Sequence, residues 1–232
     1  MLEKAFIKGV KAVALSVNSP GGSPVQSALI HARIRSLAEE FKIPVYVFCE
    51  DVAASGGYWL ACAGDEIYAD ESSIIGSIGV VSAGFGFVKA IGKLGVERRV
   101  HTAGENKSIL DPFQPQKPED VKRLLALQKE IHLAFKTLVR TRRTGKLKGK
   151  ENEMFSGAFW AGRQALELGL VDGIGHMHDV LKQKFGKKLV IKNIVASQGW
   201  GLKRLGFGTF AELPAAAIET LETRALWAKF GL

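Results

Sequence analysis

A strand–helix–strand pattern near the start of the chain decides the fold class. The run KAVALSVN (11–18) is apolar and rich in β-branched residues, and it ends at the turn SPGGS, which predicts a buried strand. From Pro24 to Phe41 apolar residues recur at helical spacing, and Ser23 is a suitable N-cap. A second apolar run, PVYVFCE (44–50), follows. A strand, a helix and a strand in about 40 residues form a βαβ unit with parallel strands and a right-handed crossover, so the pattern predicts an α/β domain.

The rest of the chain continues to alternate between short apolar runs and amphipathic segments. Helices are predicted at Tyr58–Ala63, near Val88–Leu94, from Pro118 to the basic loop at 144–150, just before Gly169, and at 177–185. Strands are predicted at 65–70, 96–103, 170–172 and 188–194. An amphipathic helix is predicted in AAAIETLETRALWAKF, near the end of the chain. We therefore predict a main domain at 1–190 and a C-terminal extension at 191–232.

Composition narrows the class of protein further. The chain has 232 residues, 47% hydrophobic and 24% charged, which is typical of a globular domain with a sizeable core. The formal net charge is +9, but no zinc-finger spacing, Walker motif or aromatic RNA-binding signature accompanies it, so we expect no nucleic-acid partner. The longest uncharged run, 72–88, is rich in glycine and serine and short for a membrane span. Cys49 and Cys62 lie in apolar runs and are predicted to be core residues.

Ser55 is the first candidate for chemistry, because it lies between the second strand and a helix, in AASGGY. At such a junction a side chain is presented at the carboxyl edge of the sheet, where α/β proteins build their sites. The following amide, that of Gly56, would point to the same place and suits a developing oxyanion. The turn NSPGGS follows the first strand in the same way, and its Gly21 and Gly22 can present further amides. Each motif alone is an ordinary turn, but on adjacent parallel strands the two would face one crevice.

A serine nucleophile needs a general base, and the candidate histidines are His31, His101, His132, His176 and His178. His31 and His132 lie within predicted helices, at their surfaces, and His176 and His178 form a pair without a third metal ligand at convincing spacing. No metal site is therefore expected. Lysine is the alternative base, provided that burial or nearby positive groups lower its pKa by several units. The uncharged run 72–88 would offer suitable surroundings.

Four motifs, in this order, carry a resemblance: VNSPGGSP, DVAASGGYWLACAGDEIYAD, SIIGSIGVV and GENKSILDPF. They resemble the motifs of the bacterial signal peptide peptidase A family, which comprises protease IV and its SohB-like relatives. The resemblance runs from about Lys11 to Val180. It implies the Clp protease/crotonase-like fold, in which stacked parallel β-sheets form a ββα superhelix flanked by helices. It also implies a serine peptidase with a Ser–Lys dyad and no cofactor.

The resemblance also assigns roles by position in these motifs. Ser55 matches the nucleophile, Lys107 matches the general base, and Ser77 matches the hydroxyl that hydrogen-bonds the lysine. The residues that match the oxyanion hole and its immediate surroundings are Gly22, Gly56, Gly21 and Asn18. The apolar residues expected around the cleft, which would favour small or hydrophobic substrate side chains, are Val80, Val81 and Tyr58.

The implied partners are unfolded peptides, among them cleaved signal peptides, and further copies of the chain in a ring- or dome-shaped homo-oligomer. Family members carry another strand before the VNSPGG strand, and many carry a membrane anchor. This sequence begins too close to that motif for either, so we expect a missing N-terminal strand, and both the cytoplasm and the membrane surface stay open as locations. Three alternative functions also stay open: acyl-CoA chemistry on the same fold, a catalytically impaired peptide-binding scaffold, and nucleic-acid binding driven by charge.

Overall fold

A computed structural model describes residues 2–194 and 224–231. Its strands are β1 (Val13–Ser19), β2 (Val45–Ala54), β3 (Glu66–Ala69), β4 (Ile74–Gly76), β5 (Phe159–Ala161) and β6 (Gly173–Ile174). Its helices are α1 (Pro24–Phe41), α2 (Gly56–Ala61), α3 (Val88–Lys93), α4 (Pro118–Arg142), α5 (Glu151–Met154), α6 (Gly162–Glu167) and α7 (Met177–Phe185), preceded by a 3₁₀ turn at Leu2–Lys4. Most of the predicted C-terminal helix lies outside the described residues.

The six strands form one sheet around β2. Its order is β5-β4-β2-β3-β6, and β1 pairs with β2 as well. Every pairing is parallel except that of β4 with the short β5. The first part of β2 pairs with β3 and its last three residues pair with β4, so one long strand serves two neighbours in succession. The predicted α/β class is confirmed, with flanking helices and a mixed sheet consistent with a Clp protease-like fold.

Helix α1 forms at the predicted residues because its signals are local. The Ser23 hydroxyl accepts a hydrogen bond from the amide of Gln26 at 3.5 Å, and Pro24 occupies the first turn, where its missing N–H costs nothing. The helix ends at Phe41, and the following Lys42 adopts a left-handed conformation with φ 54°. The buried face includes Ile34 and Leu37, which pack with the strands and α2 in the main core.

The central strands are apolar because helices cover the sheet on both sides. Val45, Val47 and Val52 of β2 are fully buried, as expected for parallel strands with two covered faces. A second, smaller cluster contains Phe48 of β2 and Val180 of α7. Helix α7 therefore covers part of the sheet separately from the main core.

Several predicted elements are wrong in place or in kind. Residues 96–103 and 188–194 form no strand and are mostly exposed, because neither segment finds a partner strand within the described chain. The strand predicted at 170–172 instead begins at Gly173. Asp172 precedes it and bonds Ile67 twice, through its backbone amide at 2.7 Å and its carboxylate at 2.8 Å. The sequence analysis did not predict the short elements β4, β5 and α5.

Candidate active site

Ser55 sits between β2 and α2 in a strained backbone conformation, with φ 52° and ψ −121°. A positive φ is uncommon for a residue with a Cβ and costs on the order of 1–3 kcal/mol. Two backbone hydrogen bonds hold it there. Its amide donates to the Gly76 carbonyl at 2.8 Å, and its carbonyl accepts from the Trp59 amide at 3.0 Å. The side chain is half-buried, so the hydroxyl is held in place at the predicted strand-to-helix junction.

The glycine turn after β1 lies directly against this serine. A Cβ built on Gly21, whose φ is 128°, would be 2.9 Å from the Ser55 Cβ and 3.3 Å from its Oγ. A Cβ built on Gly56 would be 3.2 Å from the amide nitrogen of Gly22. Both glycine-containing turns therefore meet at Ser55, as predicted for turns on adjacent parallel strands, and only residues without a side chain fit there.

Asn18 lies beside the turn, and its amide group already has partners within the sheet. Pairing between β1 and β2 shifts register between Val17 and Ser19. At this bulge the Asn18 Oδ1 accepts from the Val52 amide at 3.1 Å, and its Nδ2 donates to the Asp51 carboxylate at 2.8 Å. In this arrangement Asn18 shapes the turn that follows it, and its assignment to substrate binding stays a prediction.

Ser77 is brought next to Ser55 by strand register. Ala54 pairs with Gly76 in the parallel β2–β4 ladder, so Ser55 and Ser77 follow at the next step of the two strands. Ser77 has a φ of 51° and is 6% exposed. Its amide donates to the Ala158 carbonyl at 2.7 Å. Two serines with positive φ angles therefore lie side by side at the end of the sheet.

Lys107 is not brought to this serine pair. It lies in the segment 81–117, which follows β4 and includes α3, and its side chain is exposed. Its amide donates to the Gly104 carbonyl at 3.2 Å. Within the described residues no hydrogen bond joins the Lys107 side chain to Ser55 or Ser77. The structure thus gathers the predicted nucleophile, the serine beside it and the glycine amides, and leaves the predicted base on an exposed segment.

The three residues expected to line the cleft differ in position. Val80 lines a cavity of about 20 Å³ beside Ser55, whereas Val81 is exposed to solvent. Tyr58 does not line the cleft, because it is fully buried and its hydroxyl donates to the Leu170 carbonyl at 2.7 Å. Burial raises the pKa of Tyr58 well above its usual value, so it remains a neutral hydrogen-bond donor.

Helix α4 contributes to the site in a way that was not predicted from the sequence. His132 was expected at a helix surface, but it is half-buried and its Nε2 lies 3.1 Å from the Ile78 carbonyl oxygen. Phe135, three residues further along the same helix, stacks on Trp59 with ring centroids 4.8 Å apart. The signal was present in the sequence, because His132 precedes the apolar Phe135 by one helical turn and must share its face.

The other titratable groups of the core offer no obvious catalytic base or nucleophile. His31 was also expected at a surface but is only 8% exposed, and burial, with Arg142 and Arg35 nearby, lowers its pKa to about 4. Burial raises the pKa of Cys62 to about 12 and raises that of Cys49 further. Because the thiolate is the reactive form, neither buried thiol is suited to nucleophilic attack.

Residues 2–194 and 224–231 contain no cluster of three or more histidine, cysteine, aspartate or glutamate side chains able to hold a metal ion. No helix in these ranges is both long enough and apolar enough to cross a bilayer.

Comparison with known proteins gives one family and several relatives. Residues 38–190 match the family described as peptidase family S49. The chain is 53% identical over 244 aligned positions to a Brucella abortus (strain 2308) protein named Na(+)/H(+) antiporter NhaA, and the match covers 100% of this chain but 33% of that protein. It is 34% identical to the putative signal peptide peptidase SppA of Enterococcus faecium, covering 81% of this chain and 54% of the relative. It is 35% identical to protease 4 of Haemophilus influenzae, covering 75% and 28%. The chain therefore spans a third of the first relative's length and about half of the second's.

Proposed function

The chain belongs to peptidase family S49, and from that premise we propose that it is a serine endopeptidase in which Ser55 attacks the carbonyl of an extended peptide. The observation that carries this proposal is the contact between Ser55 and the glycine turn, where a Cβ on Gly21 would lie 3.3 Å from the nucleophilic oxygen. A substrate carbonyl bound at that oxygen would have the amides of Gly22 and Gly56 nearby. Because the fold already holds these amides in position, they would stabilise the tetrahedral oxyanion without having to reorient.

Lys107 is the proposed general base. Neutral Lys107 would take the proton from Ser55 Oγ during attack and return it to the leaving amine, after which water would hydrolyse the acyl-enzyme. Ser77 would hold the lysine in line by a hydrogen bond, and its position beside Ser55, one step beyond the Ala54–Gly76 pair, supports this role. The chemistry requires no metal and no organic cofactor.

For this dyad to form, the segment 81–117 has to dock against a serine site. Large apolar side chains along it are left in solvent, with Val81 78%, Phe85 82% and Leu94 76% exposed. Exposed apolar surface of this extent is typical of an interaction site. We therefore propose that the segment packs in a homo-oligomer of this chain and that packing brings Lys107 to Ser55.

The proposed substrates are unfolded peptides, with cleaved signal peptides as one natural source. The name of the Enterococcus faecium relative, a putative signal peptide peptidase, supports this choice. An extended peptide can add alongside a sheet edge by backbone pairing and present its carbonyl to a residue at the strand end. The antiporter name belongs to a protein of which this chain covers only a third.

Cleavage of a peptide mixture tests the proposal. The purified chain is incubated with unfolded peptides, and products are read by mass spectrometry beside Ser55→Ala, Lys107→Met and the control Lys93→Met, an exposed lysine on the same segment. We expect the parent and Lys93→Met to cut and the other two to be inactive. Persistent cleavage by Ser55→Ala would refute the nucleophile, and persistent cleavage by Lys107→Met would refute the base.

Further experiments test the proposed homo-oligomer and distinguish the alternative functions. A mixture of the Ser55→Ala and Lys107→Met chains regains activity only if one copy supplies the lysine to another copy's serine. Peptide binding without cleavage by the parent would instead favour a scaffold, and turnover of an acyl-CoA would favour crotonase-type chemistry. Salt-sensitive retention of DNA or RNA would favour nucleic-acid binding.

A further inference from the structure

The cavity beside Ser55 is small and has no charged wall. Its volume is about 20 Å³, and it is lined by Ser55, Gly22, Gly56, Trp59, Val80 and Phe135 among others. A cavity of this volume accommodates about one water-sized group, and a methyl group is of similar size. The proposed nucleophile and the two glycines whose amides are proposed to bind the oxyanion therefore border one partly open cavity.

Two stacked aromatic rings form one wall of this cavity, and their packing holds them in place. Trp59 of α2 and Phe135 of α4 are stacked with an interplanar angle of 25° and are 8% and 3% exposed. Both rings belong to the main core. Because protein interiors are packed like organic crystals, enlarging the cavity would require displacing well-packed neighbours.

A hydrogen bond also fixes the helix that carries Phe135. His132 Nε2 lies 3.1 Å from the carbonyl oxygen of Ile78, and Ile78 is fully buried in the loop that leads from Ser77 to Val80. This contact joins α4 to the loop on the opposite side of the cavity. Phe135 and Val80 therefore belong to a helix and a loop that this contact joins.

From this geometry we infer that the cavity receives the side chain of the substrate residue whose carbonyl Ser55 attacks, and that Trp59 and Phe135 restrict that residue to glycine, alanine or serine. The inference rests on the proposed peptidase function and adds its specificity. A leucine or phenylalanine would overfill the cavity, and a charged side chain would meet no oppositely charged residue among those that line it, which is unfavourable.

Peptides that differ only at the residue before the scissile bond test this inference. Because one methylene in an apolar pocket changes kcat/KM by roughly 10- to 200-fold, we expect kcat/KM for alanine to exceed that for leucine by at least about 100-fold. Phe135→Leu should widen the cavity and raise the leucine-to-alanine ratio by about 10-fold or more. The matched control is Phe48→Leu, which removes a buried ring from the separate cluster under α7 and should leave the ratio unchanged.

A second enlarging variant, Trp59→Phe, keeps the experiment decisive if Phe135→Leu does not fold. Comparable parental cleavage after leucine and alanine would overturn the inference while leaving the proposed function intact. An unchanged ratio in every folded enlarging variant would do the same. Absence of all Ser55-dependent cleavage by the parent would overturn the proposed function, and the specificity with it.

Discussion

Mild acid should destabilise the fold through His31, which lies on the buried face of α1. Burial, followed by the positive charges of Arg142 and Arg35, lowers the pKa of this imidazole from 6.5 to about 4. Between these two values the unfolded chain binds a proton that the native chain does not. The free energy of unfolding should therefore fall as the pH decreases from 6.5 towards 4 and be unaffected by His31 at higher pH.

The size of the effect follows from the two pKa values. One pKa unit corresponds to about 1.4 kcal/mol, so the free energy of unfolding should fall by about 2 kcal/mol between about pH 8 and about pH 5. By about pH 4 the loss should reach about 3 kcal/mol. The carboxyl of Asp172 affects the free energy of unfolding at lower pH than His31 does. Although burial opposes its ionisation, hydrogen bonds from Arg143 and Lys146 lower the pKa of its carboxyl below 3.8, so its stabilisation is lost only in stronger acid.

Urea unfolding of the parent and of His31→Gln across this pH range measures the effect. The variant should lose most of the slope between about pH 8 and about pH 5, whatever its stability at neutral pH. His178→Gln is the control, because the His178 side chain is 70% exposed, and it should keep the parental slope. An equally steep slope in His31→Gln would refute the reasoning, since the protons would then be taken up elsewhere.

Two further substitutions test the scaffold around the site. In Gly57→Ala the new Cβ would overlap the carbonyl oxygen of Ser19, so urea unfolding should show that the free energy of unfolding falls by about 2–3 kcal/mol. The control Gly92→Ala, where a Cβ meets nothing within 4 Å, should not be destabilised. Equal stability of the two variants would contradict the close approach of Gly57 to Ser19. Arg143→Met removes a 2.6 Å ion pair to Asp172, in which the Arg143 side chain is only 2% exposed. The free energy of unfolding should therefore fall by about 3–5 kcal/mol in the same assay. A change below about 1 kcal/mol would show that the pair behaves as a surface ion pair.

The elements predicted correctly from the sequence are those whose signals lie within the element. Helices α1 and α7 have their predicted bounds, because a cap, a first-turn proline or a terminal glycine acts within a few residues of the helix end. Strands depend on a partner elsewhere in the chain. The run 96–103 has strand composition but no partner strand among the residues that the structure describes, whereas Ile74–Gly76 is a strand because Val52–Ala54 pairs with it.

The same distinction separates the parts of the candidate site. The meeting of Ser55 with Gly21 could be predicted, because two parallel strands end in glycine turns at one edge of the sheet. The bulge at Asn18 could not, since it depends on how far β1 and β2 slip in register. The place of Lys107 is not determined by local pattern either, because it is carried on a segment whose apolar residues remain exposed in the single chain.

The backbone strain at the two neighbouring serines supports the roles proposed for their hydroxyls. Ser55 and Ser77 have φ values of 52° and 51°, a region in which glycine would avoid a cost on the order of 1 kcal/mol or more at each position. Gly21 and Gly76, with φ values of 128° and 111°, show that this chain does use glycine at other positive-φ positions around the site. Stability alone would favour glycine at all four positions. The side chains that persist despite this cost are the two hydroxyls that the proposed mechanism uses, one as the nucleophile and the other to hold the base.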